Sequence, residues 1–361
     1  MKKTLLLTTA LIGSLLIGSA QAQTTITGEL KMAYKSVEGF GTGTPSNSGF
    51  TSERQINFAS KGKLNNGLDY AAGFSLEQDG NEDGKGSHTT GSNAVLNAAI
   101  DGGEGNYFNI ISGNTTITLG MDHILNGDYA IVPRAGAPMN EEIGNLGGES
   151  ARTGTRTGLQ YSQSLGDNNE FMGLGVIQTI PSVGRLAVNF VPRADDKANT
   201  ADTAVPITAV GKSAYSVFFV GDLGVKGLQV ALERAQNEKN TANTTDPKVT
   251  AFGASYTMGD FSVGAERQKF TDGSNAETET TELGLTYMIN KNASAGIGKI
   301  KTEGKNTSGA ALGNDEEIKY LQIGYNLGGF STQLSVIDAE NIAFTSTQDA
   351  KSYVFKIATK F

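Results

Sequence analysis

The side chains that could do chemistry are few. Across 361 residues there are two histidines and no cysteine, so disulfides, thiol nucleophiles and zinc–thiolate sites are absent. His88 and His123 have no second histidine or cysteine at ligand spacing, and a transition-metal site is not indicated. Nucleophilic catalysis needs a base held against the nucleophile, and no G-x-S-x-G elbow occurs. Gly211-Lys212-Ser213 has the ending of a phosphate loop, but Pro206 stands where that loop opens on Gly, and the flanks read loop then strand. What remains is charge. Between positions 123 and 171, Asp128, Glu141, Glu142, Glu149, Asp167 and Glu170 outnumber Arg134, Arg152 and Arg156. Carboxylates at a narrow aqueous passage raise the local cation concentration and exclude anions through their field alone. Such a segment acts only if other elements build the passage and hold it there.

The first residues indicate where those elements are assembled. A basic Met1-Lys2-Lys3, an apolar stretch from Thr4 to Gly18, and the small residues Ala20 and Ala22 around Gln21 fit a secretory signal peptide cleaved after Ala22. The apolar run falls short of the roughly 20 residues of a membrane-spanning helix. Residues 1–22 are therefore expected to be leader and residues 23–361 one folded unit. Cleavage removes Lys2 and Lys3, leaving 27 basic against 37 acidic side chains and a net charge of −10. That balance argues against nucleic acid as a partner. The longest later apolar stretch, Tyr215 to Val220, is far too short for a helical span. Membrane-crossing strands, however, show only alternating segments of about ten residues.

Such segments fill the chain. In the last strand Tyr353, Phe355, Ile357, Thr359 and Phe361 share one face, and Ser352, Val354, Lys356, Ala358 and Lys360 the other. Near the start, Ile26, Gly28, Leu30, Met32 and Tyr34 alternate with Thr27, Glu29, Lys31 and Ala33. The 47 Gly, set against 7 Pro, punctuate these segments. Asn66-Gly67 between two of them is a strong hairpin signal, and short turns are also expected at 113–114, 180–184, 222–227, 258–260, 289–292 and 327–329. The connections between those turns are long and polar, roughly 37–51, 79–105, 123–171, 193–212, 237–247, 271–277, 303–314 and 340–348. Seven short turns alternating with eight long loops join sixteen strands. A β-sandwich would alternate along its strands but would show no one-sided loop bias. The pattern is that of a transmembrane antiparallel β-barrel with short periplasmic turns and long outer loops, which also pairs every backbone group without disulfides. Two stretches compete for the sixth strand, 151–164 and 172–179; the second is preferred because Ile177 to Ser182 leads straight into a turn.

The residues now resemble the general porins of Gram-negative bacteria, the trimeric sixteen-stranded diffusion pores, over essentially the whole chain after the leader. The likeness rests on Phe361 closing an aromatic alternating strand, and on Ile56-Asn57-Phe58 running through Gly62 to Asn66-Gly67-Leu68. Thr116-Ile117-Thr118-Leu119-Gly120 entering the longest loop and the turn Ile180-Pro181-Ser182-Val183-Gly184 complete it. It implies an outer-membrane channel and a homotrimer, with the third loop folded into the lumen, where acidic loop residues meet arginines of the wall. The chain departs from the family's Pro-Glu-Phe-Gly-Gly loop signature; the nearest pieces are Val132 to Gly136 and Leu146 to Glu149. Met121 and Gln55 stand where the family commonly places arginines, and Arg54 lies on the opposite parity.

On this reading the candidate constriction residues are Asp128, Arg134, Glu141, Glu142, Glu149, Arg152 and Arg156. A charge at mid-bilayer costs roughly 2–4 kcal/mol, which turns Glu29, Lys31, Gln55, Asn57, Lys61, Asp69, Ser75, Glu77, Arg185 and Lys356 to the lumen, with Asn189, Gln229, Glu233, Glu266 and Gln333. Tyr353, Phe355 and Phe361 look like the signal read by the barrel-assembly machinery. The near-continuous apolar run Tyr215 to Val220 suggests a strand facing something drier than lumen water, and favours a trimer. The expected partners are outer-membrane lipid and lipopolysaccharide, with ions and small hydrophilic solutes as cargo, and mild cation selectivity. A sugar- or anion-specific porin, and a non-conducting adhesin or anchor, remain as alternatives.

Overall fold

The computed structural model describes residues 23–39, 47–79, 101–102, 106–120, 131–135, 173–192, 213–238, 245–272 and 274–361. They form sixteen strands: β1 Gln23–Glu38, β2 Asn47–Lys63, β3 Asp69–Asp79, and β4 in two pieces, Asp101–Gly102 and Tyr107–Ser112. Then follow β5 Thr115–Gly120, β6 Gly173–Ile180, β7 Gly184–Val191, β8 Ala214–Gly221, β9 Leu228–Asn237 and β10 Lys248–Met258. The last six are β11 Phe261–Thr271, β12 Glu277–Asn290, β13 Ala293–Lys305, β14 Glu316–Asn326, β15 Ser331–Glu340 and β16 Ala350–Lys360. Each strand pairs antiparallel with its neighbours in sequence, and β16 returns to β1 with Phe355 opposite Tyr34. The sheet therefore closes into a barrel. β6 lies beside β5 with Ile177 opposite Thr116, so the preference for 172–179 holds. Residues 151–164 lie outside the described set.

All seven expected short turns are present at one end of the barrel. At the first, Gly67 has φ +86°, which costs a glycine little, and the Asn66 carboxamide accepts a hydrogen bond from the Leu68 N–H at 3.2 Å. The chain ends meet at the same end. Gly28 and Phe361 exchange both backbone hydrogen bonds, at 2.7 and 2.9 Å, and a Cβ on Gly28 would lie 2.4 Å from the Phe361 ring. A larger residue at position 28 would have to turn the terminal ring aside.

Burial runs opposite to that of a water-soluble domain. Ile26, Phe74, Leu232, Phe252 and Ile297 point outward and are exposed, whereas Ser75, Thr118, Asn189, Gln268, Thr280 and Lys356 point inward and are buried. Leaving so much apolar side chain in water costs about 25 cal/mol per Å²; facing lipid removes that cost. The period-2 alternation read along each strand is thus the lipid–lumen boundary.

Candidate functional site

Residues 131–135, from the third long loop, lie inside the barrel against its wall. Ile131 and Val132 are buried among the inward residues Ala187, Phe218, Val220, Ala231 and Ala251. The apolar run in β8 therefore does face something dry, but the cover on its inward side is this loop segment and not a partner chain. Three inward positions of the wall beneath the segment are glycine. A Cβ at Gly253 would lie 2.4 Å from Ile131 Cγ2, at Gly264 2.6 Å from Pro133 Cδ, and at Gly284 2.4 Å from Val132 Cγ1. Such distances are too short for any side chain to share the space. Sequence reading treated the glycines as turn punctuation and missed these. Their signal was the register: Gly253, Gly264 and Gly284 all carry inward parity on adjacent strands.

Two polar contacts fasten the segment. Arg134 Nη2 donates to Glu282 Oε1 at 2.6 Å, and the Tyr320 hydroxyl donates to the same oxygen at 2.9 Å. The guanidinium also lies 5.6 Å from the Tyr320 ring centroid, within cation–π range. Gln333 Nε2 donates to the Ala135 carbonyl at 2.6 Å. Arg134 and Glu282 side chains are only 7% and 3% exposed. The inward Glu233 and Glu266 are buried nearby rather than bathed in lumen water. At this point the expected polarity is inverted: the loop supplies the arginine and the wall the carboxylates.

Elsewhere on the wall, three lysines share the inward face of β1 and β16. Lys356 lies opposite Ala33, between Lys31 and Lys35 on the neighbouring strand. Diagonal neighbours in such a pair are about 7–8 Å apart, so three ammonium-bearing stems share one patch. Lys35 was missed by the sequence reading, although its parity with Lys31 was available. Glu29 is half-buried below them, 3.6 Å from the Lys360 ammonium. Next along the wall, Ser75 Oγ donates to Asn57 Oδ1 at 2.6 Å, and Asn57 Nδ2 to Gln55 Oε1 at 3.2 Å. Glu77 is the register partner of Gln55. Lys61, Asp69 and Arg185 also turn inward, but they sit beside the short turns, at the periplasmic mouth; Asp69 there pairs with Lys63 at 2.6 Å. Asp128, Glu141, Glu142, Glu149, Arg152 and Arg156 lie outside the described residues, as do Ala20 and Ala22.

A second loop also turns inward. The short 3-10 turn Ile342–Phe344 after β15 buries Ile342 against the inward Ile300, Ile318 and Ile337 near the outer mouth. A barrel whose inner wall carries a cluster of lysines on one side and of carboxylates on another can sort solutes by size and charge.

The family model for Gram-negative porins matches residues 8–336. The chain belongs to that family. No curated protein sequence matches it. Among solved structures, this porin is similar to the anion-selective porin of Comamonas acidovorans, with 13% identity and a TM-score of 0.65 over 94% of this chain and 100% of that one. OmpT of Vibrio cholerae, an outer-membrane protein solved in its trimer form, aligns at 12% identity and TM-score 0.62, covering 94% and 99%. A variant of the Rhodopseudomonas blastica porin aligns at 14% and 0.58, covering 94% and 100%. These likenesses carry the fold: a porin barrel of the outer membrane, in a family of channels.

Proposed function

We propose that this porin is a passive diffusion channel for ions and small hydrophilic solutes, with a modest preference for cations. The observation that carries the proposal is the segment 131–135 held against the inner wall of a closed, polar-lined barrel. A loop anchored there narrows the passage and leaves it open to water. The cation preference comes from the carboxylates of the third loop, Glu141 and Glu142 foremost, acting together with Asp128 and Glu149 against Arg152 and Arg156. The leader ends at Ala22, the barrel-assembly machinery reads Tyr353, Phe355 and Phe361, and the protein works as a homotrimer among lipid and lipopolysaccharide. The trimer form of the Vibrio cholerae neighbour supports that assembly. So does the outward face of β1 to β8, where Glu38 and Arg54 are the only charged positions among the described residues.

One observation favours a second reading, anion preference. Lys31, Lys35 and Lys356 cluster on one wall, Glu282 is already paired with Arg134, and the Comamonas acidovorans neighbour is anion-selective. The sign of the reversal potential under a KCl gradient in planar bilayers decides between them. Screening reaches only about 8 Å at physiological ionic strength but about 30 Å at 0.01 M. A cation-selective sign should therefore grow in dilute salt and shrink in Glu141→Gln/Glu142→Gln. An anion-selective sign that Lys356→Gln weakens establishes the second reading instead. Absence of ion flow removes both and leaves a non-conducting anchor.

A further inference from the structure

We propose that the periplasmic end of β1 is an open sheet edge that takes up an extended segment of a periplasmic protein as an added strand. β2 flanks β1 down to Gln23, which pairs with Lys61. β16 flanks it only down to Gly28, which exchanges both backbone hydrogen bonds with Phe361. Among the described residues, 23–27 therefore have a neighbouring strand on one side alone. No other described strand outruns its neighbour so far at this end. The next largest overhang, residues 288–290 beyond Tyr287, is tied down where the Met288 N–H donates to the Asp260 carbonyl at 2.8 Å. Strand geometry fixes where the unmatched groups point. The N–H and C=O of successive residues face opposite edges, so those of Thr24 and Ile26 face the open side, as those of Gly28 face β16. Those of Thr25 and Thr27 face β2.

The chemistry of the edge selects its occupant. Alternating donors and acceptors at strand spacing are matched by another extended backbone, the basis of recognition by strand addition. Exposed edges are usually blunted by charge, proline or a bulge. Residues 23–27 read Gln-Thr-Thr-Ile-Thr, with no charge and no proline, and they pair with β2 in unbroken register. Their β-branched side chains favour the extended form, so the edge is built before anything docks. All five are exposed. Beside the open side stand two outward apolar side chains, Ile26 at 60% exposure and Phe361 at 74%. The residue of the added strand that lies opposite Ile26 is therefore apolar. The edge belongs to the end of the barrel that carries the short turns, which makes the source periplasmic. A second copy of this chain fits poorly: one edge pairs antiparallel with its own copy only about a twofold axis, and a trimer has none.

The inference rests on the barrel orientation of the channel reading and is tested without ion flow. Full-length protein in mild detergent is incubated with the probe peptide Val-Thr-Val-Thr-Val, and amide hydrogen exchange is followed residue by residue by fragmentation mass spectrometry. In the free protein the Thr24 and Ile26 amides should exchange fast, and the Thr25 and Thr27 amides slowly. Saturating peptide should slow Thr24 and Ile26 alone, by about tenfold or more. The same peptide N-methylated at alternate residues cannot donate towards the edge and should slow neither. Ile26→Pro removes a donor on the open side and costs no bond to β2. It should still give a heat-modifiable barrel, with peptide affinity lower by about tenfold, the scale of one hydrogen bond. Should that variant fail to fold, Thr24→Pro and the N-methylated peptide carry the test. Exchange that the peptide leaves unchanged overturns the proposal. So does slow exchange of Thr24 and Ile26 without peptide that deepens with protein concentration, which assigns the edge to a second copy. Peptide binding by a protein that conducts no ions would strike the channel reading and leave this one standing.

Discussion

Arg134 shows how a residue's use follows from its neighbours rather than its type. Counted as a loop charge, it belongs to the aperture; in the folded barrel its fork is engaged by Glu282 beneath the loop. Removing one partner of a buried ion pair leaves the other charge uncompensated, at a cost of about 3–5 kcal/mol. Here the barrel can escape that cost by releasing the segment, so the effect should appear in the channel rather than in folding. Arg134→Ala is predicted to give noisier single-channel currents of higher mean conductance, while Arg134→Lys keeps the charge and loses the planar guanidinium that lies against Tyr320. Current traces for Arg134→Ala indistinguishable from wild type would show that the pair does not hold the loop.

Among the strands, the glycines divide into two kinds with different consequences. Gly67 serves its own turn, and its substitution strains a hairpin locally. Gly264 sits mid-strand on β11, and its missing side chain serves a loop more than a hundred positions earlier in the chain. A leucine there meets Pro133 first, its Cβ at 2.6 Å, and Ser255 of its own hairpin only at 3.1 Å. We predict that Gly264→Leu still forms a heat-modifiable barrel in outer-membrane fractions but alters conductance and solute exclusion in bilayers. Wild-type conductance in a folded Gly264→Leu barrel would mean that the segment does not depend on the bare wall. The inward Phe218 and Val220 belong to the same contact. Their apolar character, read from β8 alone, pointed to dryness without saying which surface supplies it.

For the whole molecule the decisive event is closure. Every strand but the first and last gains its partners from adjacent hairpins; β1 and β16 must find each other across the full length of the chain. That seam is finished by Phe361, which exchanges two backbone hydrogen bonds with Gly28 and lays its ring over that residue. An unpaired edge in lipid leaves N–H and C=O groups without partners, each costing several kcal/mol. Deleting Phe361, or replacing it with a polar residue, should sharply lower the yield of barrel in the outer membrane. Undiminished heat-modifiable protein in that fraction would refute a role for the terminal aromatic.

The strand number, the seven turns, the inward–outward parity and the long third loop were all legible in the sequence, because each depends on residues within about ten positions of one another. Alternation of side chains and the demands of a tight turn are local physics, and they place Gln55, Asn57, Ser75, Lys31 and Lys356 together on one face of the sheet. What the loop touches was not legible. The bare patch of Gly253, Gly264 and Gly284, the burial of Glu233 and Glu266, and the meeting of Arg134 with Glu282 depend on register across strands and on where a distant segment comes to rest. Parity alone also could not separate Lys356, at the level of Lys31 and Lys35, from Lys61 and Arg185 at the periplasmic mouth. Height along the pore accumulates over the pairing of every strand, and only the closed barrel fixes it.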